Sequence, residues 1–544
     1  MSGQTTAGAS RARFSLSPTG LPWQATMTVA SALLLLLAFP PFELHYLAWV
    51  ALVPLLAVID SGVTARRAFC LGWLFGLEFT FFAENWIAHS MTHFGEMLTV
   101  VAYGVALLFA AILALFPALF AGVMATLARR WGSAALVAAP VVWVGTEWLR
   151  PQVTGVTWNA LGVTQYKHFA VAKLAQTGGV YLVSAELVAA SVLLTLLPKL
   201  RQAKVGKAIA GLVVVAVLAF LVADSQRPAS NAGGATVSVL GVQPNLPPAS
   251  TETARDLENN LRLTREAIQR TPDKAADLVV WAESPLALFY ETDSLVRNQL
   301  DQLAVELHSH LLVNAVTRAG ERYFNSLQVV SPYPQNEPKP LRRYDKIRLV
   351  PFGEYVPFNA VLKHVVPRVI SSEAGGFAAG REAVVNSLRL EARVAISLDK
   401  DAAIERTTNY VRVGGFICYE AAYPDLVRQF TRNGATLLVN VSNDAWFGTT
   451  AGARQHLAHA VMRAIENDRD LIRVTNSGIS ALITADGRIV DSLPPFAPGA
   501  QLWQAQSRRS QTFYVRYGDG FAIGCAILSL ALLLLSLARR RGGK

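Results

Sequence analysis

The stretch VRVGGFICYEAAYPDLVRQF, residues 411–430, decides the fold of the second half of the chain. Its first residues form an apolar run typical of a buried strand, and its last ten predict a helix. Cys418 lies between the two, followed by Tyr419 and Glu420. Loops expose the side chains at strand ends, so Cys418 is a candidate nucleophile as well as a candidate packing residue.

The same alternation of strands and helices runs from about residue 235 onward. It predicts an α/β domain with layered sheets. No P-loop, GxGxxG or HExxH motif occurs in the sequence, and no nucleotide or zinc chemistry is predicted. The predicted strands are TVSVLGVQ (236–243), ADLVVWAES (276–284), HLLVNAVTR (310–318), YFNSLQVVS (323–331), ATLLVNVSND (435–444) and LIRVTNSGISALIT (471–484). The predicted helices are TETARDLENNLRLTREAIQR (251–270), SLVRNQLDQLAVELHSH (294–310) and ARQHLAHAVMRAIENDRD (453–470).

The composition indicates a membrane protein. The chain has 544 residues, of which 52% are hydrophobic and only 16% charged, and its mean hydropathy is +0.33; a soluble protein carries about 25% charged residues. The net charge of +11 is concentrated at the ends of apolar segments, so a nucleic-acid partner is not predicted. With three cysteines and no CxxC pair, neither a disulfide scaffold nor a zinc site is expected, and Cys70 and Cys525, inside long apolar runs, are interpreted as core or lipid-facing residues.

Apolar stretches predict about eight transmembrane helices. The first follows Arg11 and Arg13 and is interpreted as a retained anchor rather than a cleaved signal peptide, because six more precede residue 225 and no convincing cleavage site appears. The predicted spans are 24–40, 43–60, 68–88, 97–128, 134–149, 179–198, 207–224 and 519–538.

The basic residues at alternate span ends predict the topology. By the positive-inside rule both termini are cytoplasmic, and the large segment between the seventh and eighth spans lies on the opposite side, the periplasm of a bacterium with two membranes. The localisation expected is the bacterial inner membrane. The predicted division is a cytoplasmic tail (1–23), a seven-helix membrane domain (24–224), a periplasmic α/β domain (225–518), a C-terminal transmembrane helix (519–538) and a basic cytoplasmic tail (539–544).

Three strings place reactive side chains at the ends of apolar strands. They are VVWAESP with Glu283, YDKIRLVPFGEYVP with Lys346 and Glu354, and FICYEAAYP with Cys418. Each taken alone has an ordinary interpretation as a turn carboxylate, an exposed lysine or a packed thiol. Together they supply a nucleophile, a carboxylate base and a cation for an oxyanion, which acyl transfer through a cysteine requires.

A thiol with an ordinary pKa of about 8.5 needs a neighbouring base or a helix N-terminus for activation. A Cys–His pair is the less attractive source. His456 and His459 lie in a predicted helix and are as well explained by solvent or core positions.

The order of Glu283 in WAES, Lys346 in YDKIRLVPFGEYVP and Cys418 in ICYE resembles the Glu–Lys–Cys triad of the nitrilase superfamily. With membrane spans on both sides, the chain resembles the apolipoprotein N-acyltransferase family of Gram-negative bacteria. The strings LVPFGEYVP, VSNDAWFG, RVTNSGISALI, NWIAHSMTHFGE and EWLRPQVTGVTWNALGVTQY carry the resemblance, which covers nearly the whole chain.

The resemblance implies an αββα nitrilase-like sandwich on a helical membrane domain. It implies Cys418 as nucleophile, Glu283 as general base and Lys346 as the oxyanion-stabilising cation, with Glu354, Tyr419 and Glu420 in support. The implied reaction moves an acyl chain from a phospholipid, phosphatidylethanolamine or phosphatidylglycerol, through a thioester to the α-amino group of a diacylglyceryl-cysteine on an apolipoprotein. It needs no cofactor and no metal.

Two other functions remain open from the residues. A membrane-anchored amidase or nitrilase-type hydrolase would use the same triad on a small amide, and a scaffold or transporter would carry a vestigial domain.

The apolar loops 284–291 and 355–370 are candidates for shielding a thioester from water. Two departures from the family pattern are the lack of a tryptophan after QPN (243–245) and a long connection at 386–409, predicted to be an inserted hairpin or a mobile loop.

Overall fold

The computed structural model describes the chain in eight stretches, residues 20–200, 235–247, 253–271, 276–283, 289–351, 353–355, 376–390 and 409–541. The predicted span 207–224 lies outside them. So do most of the loops 284–291 and 355–370 and most of the connection 386–409.

The first described stretch is helical. Its helices are α1 (Leu21–Ala38), α2 (Val53–Asp60), α3 (Ala65–Ala83), α4 (Trp86–His93), α5 (Thr99–Leu113), α6 (Leu115–Trp131), α7 (Ala139–Thr154), α8 (Phe169–Ala172), α9 (Ala175–Gly178) and α10 (Val180–Leu200). Short 3₁₀ turns at His45–Trp49, Gly132–Ala138 and Leu161–Gln165 connect them.

Four described helical segments are long and apolar enough to cross a membrane, judged by length and composition: Leu21–Ala38, Thr99–Thr154, Val180–Lys199 and Gly520–Ala538. A shorter apolar segment, His45–Asp60, accompanies them. The predicted helical membrane domain is therefore confirmed in kind, while the total of eight spans and the domain boundaries stay predictions.

The predicted span 97–128 contains a break, since α5 ends at Leu113 and α6 begins at Leu115. Pro117 explains it. A proline has no N–H to donate to the carbonyl four residues earlier, here that of Leu113, and its ring crowds the preceding turn.

The second half contains two six-stranded sheets. The first has the order β12-β1-β2-β3-β4-β5 and the second β11-β10-β9-β8-β7-β6. The strands are β1 (Thr236–Gln243), β2 (Leu278–Trp281), β3 (His310–Ala319), β4 (Arg322–Val330), β5 (Tyr344–Asp345), β6 (Val385–Leu390), β7 (Asn409–Ile417), β8 (Leu437–Ser442), β9 (Leu471–Thr475), β10 (Ala481–Ile483), β11 (Ile489–Val490) and β12 (Gly499–Gln506).

Each sheet has a parallel centre flanked by antiparallel strands. β1, β2 and β3 run parallel in the first sheet, and β7, β8 and β9 run parallel in the second. The carboxyl ends of parallel strands meet at one edge of a sheet, where open α/β sheets place their sites. Glu283, Cys418 and Asn443 follow β2, β7 and β8 at these edges.

The two sheets face each other, and helices cover their outer faces. The helices of this domain are α11 (Thr253–Gln269), α12 (Ser294–Leu307), α13 (Pro424–Arg432) and α14 (Gly452–Asn467), and after β12 the chain ends in α15 (Phe513–Tyr517) and the apolar α16 (Gly520–Arg541). Leucines of α11 and α12 share a buried apolar cluster with residues of β1 and β3, and Phe430 of α13 packs against Phe416 of β7 with ring centroids 6.0 Å apart. A Cβ on Gly415 would lie 2.8 Å from Leu327 of the opposite sheet. The helix–sheet–sheet–helix sandwich is confirmed.

One local expectation is wrong in detail. The stretch 471–484 was predicted as one strand, but it forms β9 and β10 as an antiparallel pair around a turn at 476–480. An Asn-Ser-Gly sequence at 476–478 suits such a turn. The described flanks of the 386–409 connection, β6 and β7, pair antiparallel from Val385 to Leu390, and the inserted hairpin or mobile loop between them stays a prediction.

Helix α14 joins the sandwich to the membrane helices. Gln455 on this helix is 1% exposed; its side-chain oxygen accepts from the Trp158 indole N–H at 2.8 Å. Its amide donates to the carbonyls of Pro40 at 3.3 Å and Ala83 at 2.9 Å. One glutamine thus ties three separate segments of the helical domain to the sandwich, and it brings Trp158 beside the loop that follows β7.

Candidate active site

The three side chains of the predicted triad follow strands of both sheets, β2 and β5 of the first and β7 of the second, and lie close together. Glu283 is two residues after β2, Lys346 follows β5 directly, and Cys418 follows β7 directly. Their exposed fractions are 8%, 1% and 9%. Ionisable groups are rarely this deeply buried unless they are paired, so the cluster calls for a functional explanation.

Lys346 is held between two carboxylates. Its Nζ lies 2.8 Å from Glu354 Oε1 and 3.4 Å from Glu283 Oε1. Burial opposes its charge, but the negative charges of Glu283 and Glu354 prevail and raise the pKa of Lys346 above its ordinary value. The lysine is therefore a permanent buried cation beside the cysteine, suited to stabilising a developing oxyanion.

Asn325, on β4, fixes both carboxylates from one side. Its Nδ2 donates to Glu283 Oε1 at 3.1 Å and to Glu354 Oε1 at 2.8 Å. The remaining oxygens accept backbone hydrogen bonds, Glu283 Oε2 from the Asn443 N–H at 2.9 Å and Glu354 Oε2 from the Val350 N–H at 2.8 Å. With every oxygen partnered, neither carboxylate is free to turn away from the lysine.

Cys418 begins a 3₁₀ turn, Cys418–Ala422, with a backbone φ of +53°. A residue with a Cβ disfavours this left-handed region, and such strain is concentrated at functional sites. Burial and the negative charge of Glu283 raise the pKa of the thiol, and the cation of Lys346 partly offsets them. The resting side chain is therefore a thiol, and attack on a carbonyl requires that a neighbouring base remove its proton.

Glu420 is fully buried and joins the loop after β5 to the turn after β7. Its Oε1 accepts from the Tyr344 hydroxyl at 2.7 Å and from the N–H groups of Ile347 and Arg348 at 2.7 and 3.0 Å. Its Oε2 accepts from the Ile417 N–H at 2.8 Å. The carboxylate thus sets the distance between the segment that carries the lysine and the segment that carries the cysteine.

Tyr419 forms part of a wall built jointly with the helical domain. Its ring stacks on that of Trp158, with centroids 5.6 Å apart and planes 14° apart, and meets Tyr423 edge-on at 5.4 Å. The Tyr423 hydroxyl donates to the Gly155 carbonyl at 2.6 Å. The loop after α7 therefore lies directly against the residue that follows the cysteine.

The structure brings together all six predicted site residues and adds three that sequence analysis missed. Asn325 gave no signal beyond being a polar residue in a strand. Trp158 lies in a string recognised as a family block, but nothing linked it to Tyr419. His456, left open between solvent and core, is buried, as is His459, and the Nε2 atom of His456 lies 2.9 Å from the Cys418 carbonyl oxygen.

The sandwich with a buried glutamate, lysine and cysteine at its strand ends defines a class of protein. A family model described as carbon-nitrogen hydrolase matches residues 236–512, about half of the chain, so this half is a nitrilase-superfamily domain. A solved structure of Saccharomyces cerevisiae Nit3, described as a member of branch 10 of that superfamily, is 14% identical, with a TM-score of 0.36 over 54% of this chain and 97% of that one.

The helical half narrows the class. A model described as apolipoprotein N-acyltransferase N-terminal domain matches residues 31–193. The apolipoprotein N-acyltransferase of Geobacter metallireducens is 33% identical over 535 residues, 95% of each chain, and that of Chromobacterium violaceum is 30% identical over 515 residues, 93% of this chain and 92% of the other. The chain belongs to the apolipoprotein N-acyltransferase family and is an acyltransferase.

Proposed function

We propose that the protein transfers a fatty acyl chain from a phospholipid to the α-amino group of an N-terminal diacylglyceryl-cysteine on an apolipoprotein, through a thioester on Cys418. The observation that carries the proposal is the buried cluster of Cys418, Glu283 and Lys346 beside a wall that the helical domain supplies. Family membership supports the reaction type, and the geometry supports the residue roles.

In the first half-reaction Glu283 accepts the proton of the Cys418 thiol, and Sγ forms a bond to the ester carbonyl carbon. The oxygen becomes an oxyanion stabilised by Lys346 and by backbone N–H groups. The bond to the glycerol oxygen then breaks, Glu283 returns the proton to that oxygen, and a lysophospholipid leaves. A thioester on Cys418 remains.

In the second half-reaction the free amine of the modified cysteine attacks the thioester carbonyl. The C–N bond forms, the C–S bond breaks, and a proton from the amine returns to Sγ by way of Glu283. The overall exchange of an ester for an amide runs downhill, so no nucleotide enters the scheme. Glu354, which contacts Lys346, orients the cation.

The wall formed by Tyr419 and Trp158 supports transfer rather than hydrolysis. It stacks an aromatic side chain from the helical half on Tyr419, the residue after the cysteine. A thioester at a membrane surface is kept from water by apolar neighbours. From the charge pattern of the sequence, we assign the catalytic domain to the periplasmic face of the inner membrane. As the acyl donor we propose phosphatidylethanolamine or phosphatidylglycerol.

The acyl-enzyme is tested with phospholipid carrying a labelled acyl chain. The wild-type protein is expected to acquire label that neutral hydroxylamine removes, and Cys418→Ser is expected to acquire none. Cys70→Ser, at an exposed cysteine on α3, is the matched control and should label normally. Label that persists in Cys418→Ser would exclude the thioester. Running phosphatidylethanolamine and phosphatidylglycerol in separate reactions identifies the donor.

The acceptor is tested on the labelled enzyme. A synthetic diacylglyceryl-cysteinyl peptide should receive the label as a hydroxylamine-resistant amide, and the same peptide with an acetylated amine should receive none. If label leaves instead as free fatty acid at the same rate with either peptide, the protein is a hydrolase. Alkaline phosphatase fused after residue 510 should be active and fused after residue 541 inactive; the reverse pattern refutes the orientation.

A further inference from the structure

The carbonyl group of Cys418 is tied to a buried polar unit that the proposed reaction does not use. His456, on α14, approaches this carbonyl with Nε2 at 2.9 Å. Its ring is fully buried and packs against Trp158 and Phe447, with centroids 5.6 and 5.7 Å away. A histidine held this tightly against the backbone of the nucleophile has one fixed orientation.

Two further side chains fix the other edge of the ring. Asp444 Oδ1 lies 2.9 Å from His456 Nδ1, and Arg473 Nη2 lies 3.1 Å from the same nitrogen and 2.7 Å from Asp444 Oδ2. Asp444 also accepts from the Ser442 hydroxyl at 2.8 Å. Burial acts to raise the pKa of Asp444, but Arg473 and His456 hold it below the ordinary range, so the carboxylate is ionised.

The hydrogen on Nε2 follows from its partner. A carbonyl oxygen can only accept, so Nε2 is the donor. This holds whether His456 is neutral, with Nδ1 accepting from Arg473, or charged, with Nδ1 donating to Asp444. His456 is therefore neither the acceptor of the Cys418 proton nor a ligand; it is a donor to the backbone of the nucleophile.

Peptide geometry gives this bond its consequence. A trans peptide is planar, so the Cys418 C=O and the Tyr419 N–H point in opposite directions. Because the carbonyl is directed at His456 on α14, the Tyr419 N–H points away from α14. The left-handed φ of Cys418 leaves this peptide in a conformation that an unrestrained residue rarely keeps.

We propose that His456, oriented by Asp444 and Arg473, is a positioning residue that turns the Cys418–Tyr419 peptide so that the Tyr419 N–H donates to the oxyanion beside Lys346. The inference rests on the proposed function only in taking Cys418 as the nucleophile. It predicts that loss of the Nε2 donor slows the step that forms an oxyanion and spares thiol chemistry that forms none.

The test compares two substitutions at one position. His456→Leu removes the donor, while His456→Gln places an amide N–H the same number of bonds from the backbone as Nε2. His459→Leu, three residues along the same buried face, controls for a leucine in this helix. Two rates are measured on the full-length protein, the acylation burst with p-nitrophenyl butyrate and the alkylation of Cys418 by iodoacetamide.

Acylation should fall roughly 100-fold in His456→Leu, as expected for a displaced oxyanion donor, and stay within about tenfold of wild type in His456→Gln, which restores a neutral hydrogen bond. His459→Leu should acylate normally. Alkylation should be close to wild type in all three, because displacement of iodide forms no oxyanion. If His456→Leu does not fold, the acylation and alkylation rates of His456→Gln test the proposal by themselves.

Three results would overturn the inference: normal acylation in His456→Leu, a loss in His456→Gln as large as in His456→Leu, or alkylation that falls together with acylation, which indicates a purely structural histidine. The probe is not a lipid. If the wild-type protein forms no thioester from phospholipid, the proposed function is refuted but the role of His456 is not. If the wild-type protein shows no Cys418-dependent burst, both the proposed function and the role of His456 are refuted.

Discussion

Replacing Lys346 with methionine removes the cation shared by two buried carboxylates. At the observed separations of 3.4 Å from Glu283 and 2.8 Å from Glu354, an effective dielectric constant of about 20 gives attractions of about 5 and about 6 kcal/mol before desolvation is subtracted. Methionine is unbranched like lysine and one atom shorter, so the packing of the stem changes little. The net effect is that of leaving a buried carboxylate without its counterion, about 3–5 kcal/mol of lost stability.

A double variant separates this electrostatic cost from catalysis. Lys346→Met with Glu354→Gln restores the net charge of the cluster to its wild-type value, so we expect most of the lost stability to return. The cation is still absent, and the acylation rate should remain depressed by roughly 100- to 1000-fold, the usual effect of removing an oxyanion donor.

Thermal unfolding in detergent, followed by tryptophan fluorescence, reports the stability, and the hydroxylamine-sensitive label from phospholipid reports the rate. The expected pattern is a lowered unfolding temperature in Lys346→Met, recovery in the double variant, and low acylation in both. Recovery of acylation in the double variant would show that Lys346 only balances charge. Wild-type acylation in Lys346→Met would refute its role altogether.

Three further predictions concern other parts of the site and its frame. Glu283→Gln removes the negative charge that helps to raise the pKa of Cys418. Alkylation of Cys418 by iodoacetamide at pH 7 to 9 should therefore become faster, while the acylation rate falls. Slower alkylation would contradict the cause given for the raised pKa. Glu420→Gln keeps the three hydrogen bonds to one side-chain oxygen but places an amide N–H₂ opposite the Ile417 N–H. The loss of one charged hydrogen bond should lower the stability by about 2–3 kcal/mol, measured by thermal unfolding. An unchanged unfolding temperature would contradict this role of Glu420. Gly241→Ala puts a Cβ 2.3 Å from the indole ring of β12 and should destabilise the sandwich by about 1–3 kcal/mol through overpacking; unaltered stability would mean that the ring moves freely.

Glu283 and Cys418 were predictable because each follows a strand with a plain apolar pattern, β2 and β7. Lys346 follows β5, a two-residue strand of Tyr344 and Asp345 that was not predicted, and its role came from the resemblance of its string to the family. The helices α11 to α14 were predicted from local sequence patterns as well, and their ends shifted by a few residues only. The break before Pro117 was readable in principle, since a proline in a helix removes a defined hydrogen bond.

The residues that orient the triad were not readable, because their roles depend on register and docking. Asn325 meets both carboxylates only because β3 and β4 pair in the observed register. His456 faces Cys418 only because α14 packs with that side toward β7. Trp158 touches Tyr419 across the junction of the two halves, where no periodicity in either sequence segment reports the contact.

That junction makes the helical half a part of the active site. The sandwich alone supplies Lys346, its two carboxylates and Cys418, so a soluble nitrilase-type domain could form the same cluster without membrane helices. Here the turn after Cys418 is also supported from the helical half, by Trp158 against Tyr419. Gln455 of the sandwich in turn holds Trp158 and the carbonyls of Pro40 and Ala83. The helices are thus part of the active-site wall as well as an anchor. Cutting them away should therefore impair acylation by a water-soluble ester too, which a simple anchor would not explain.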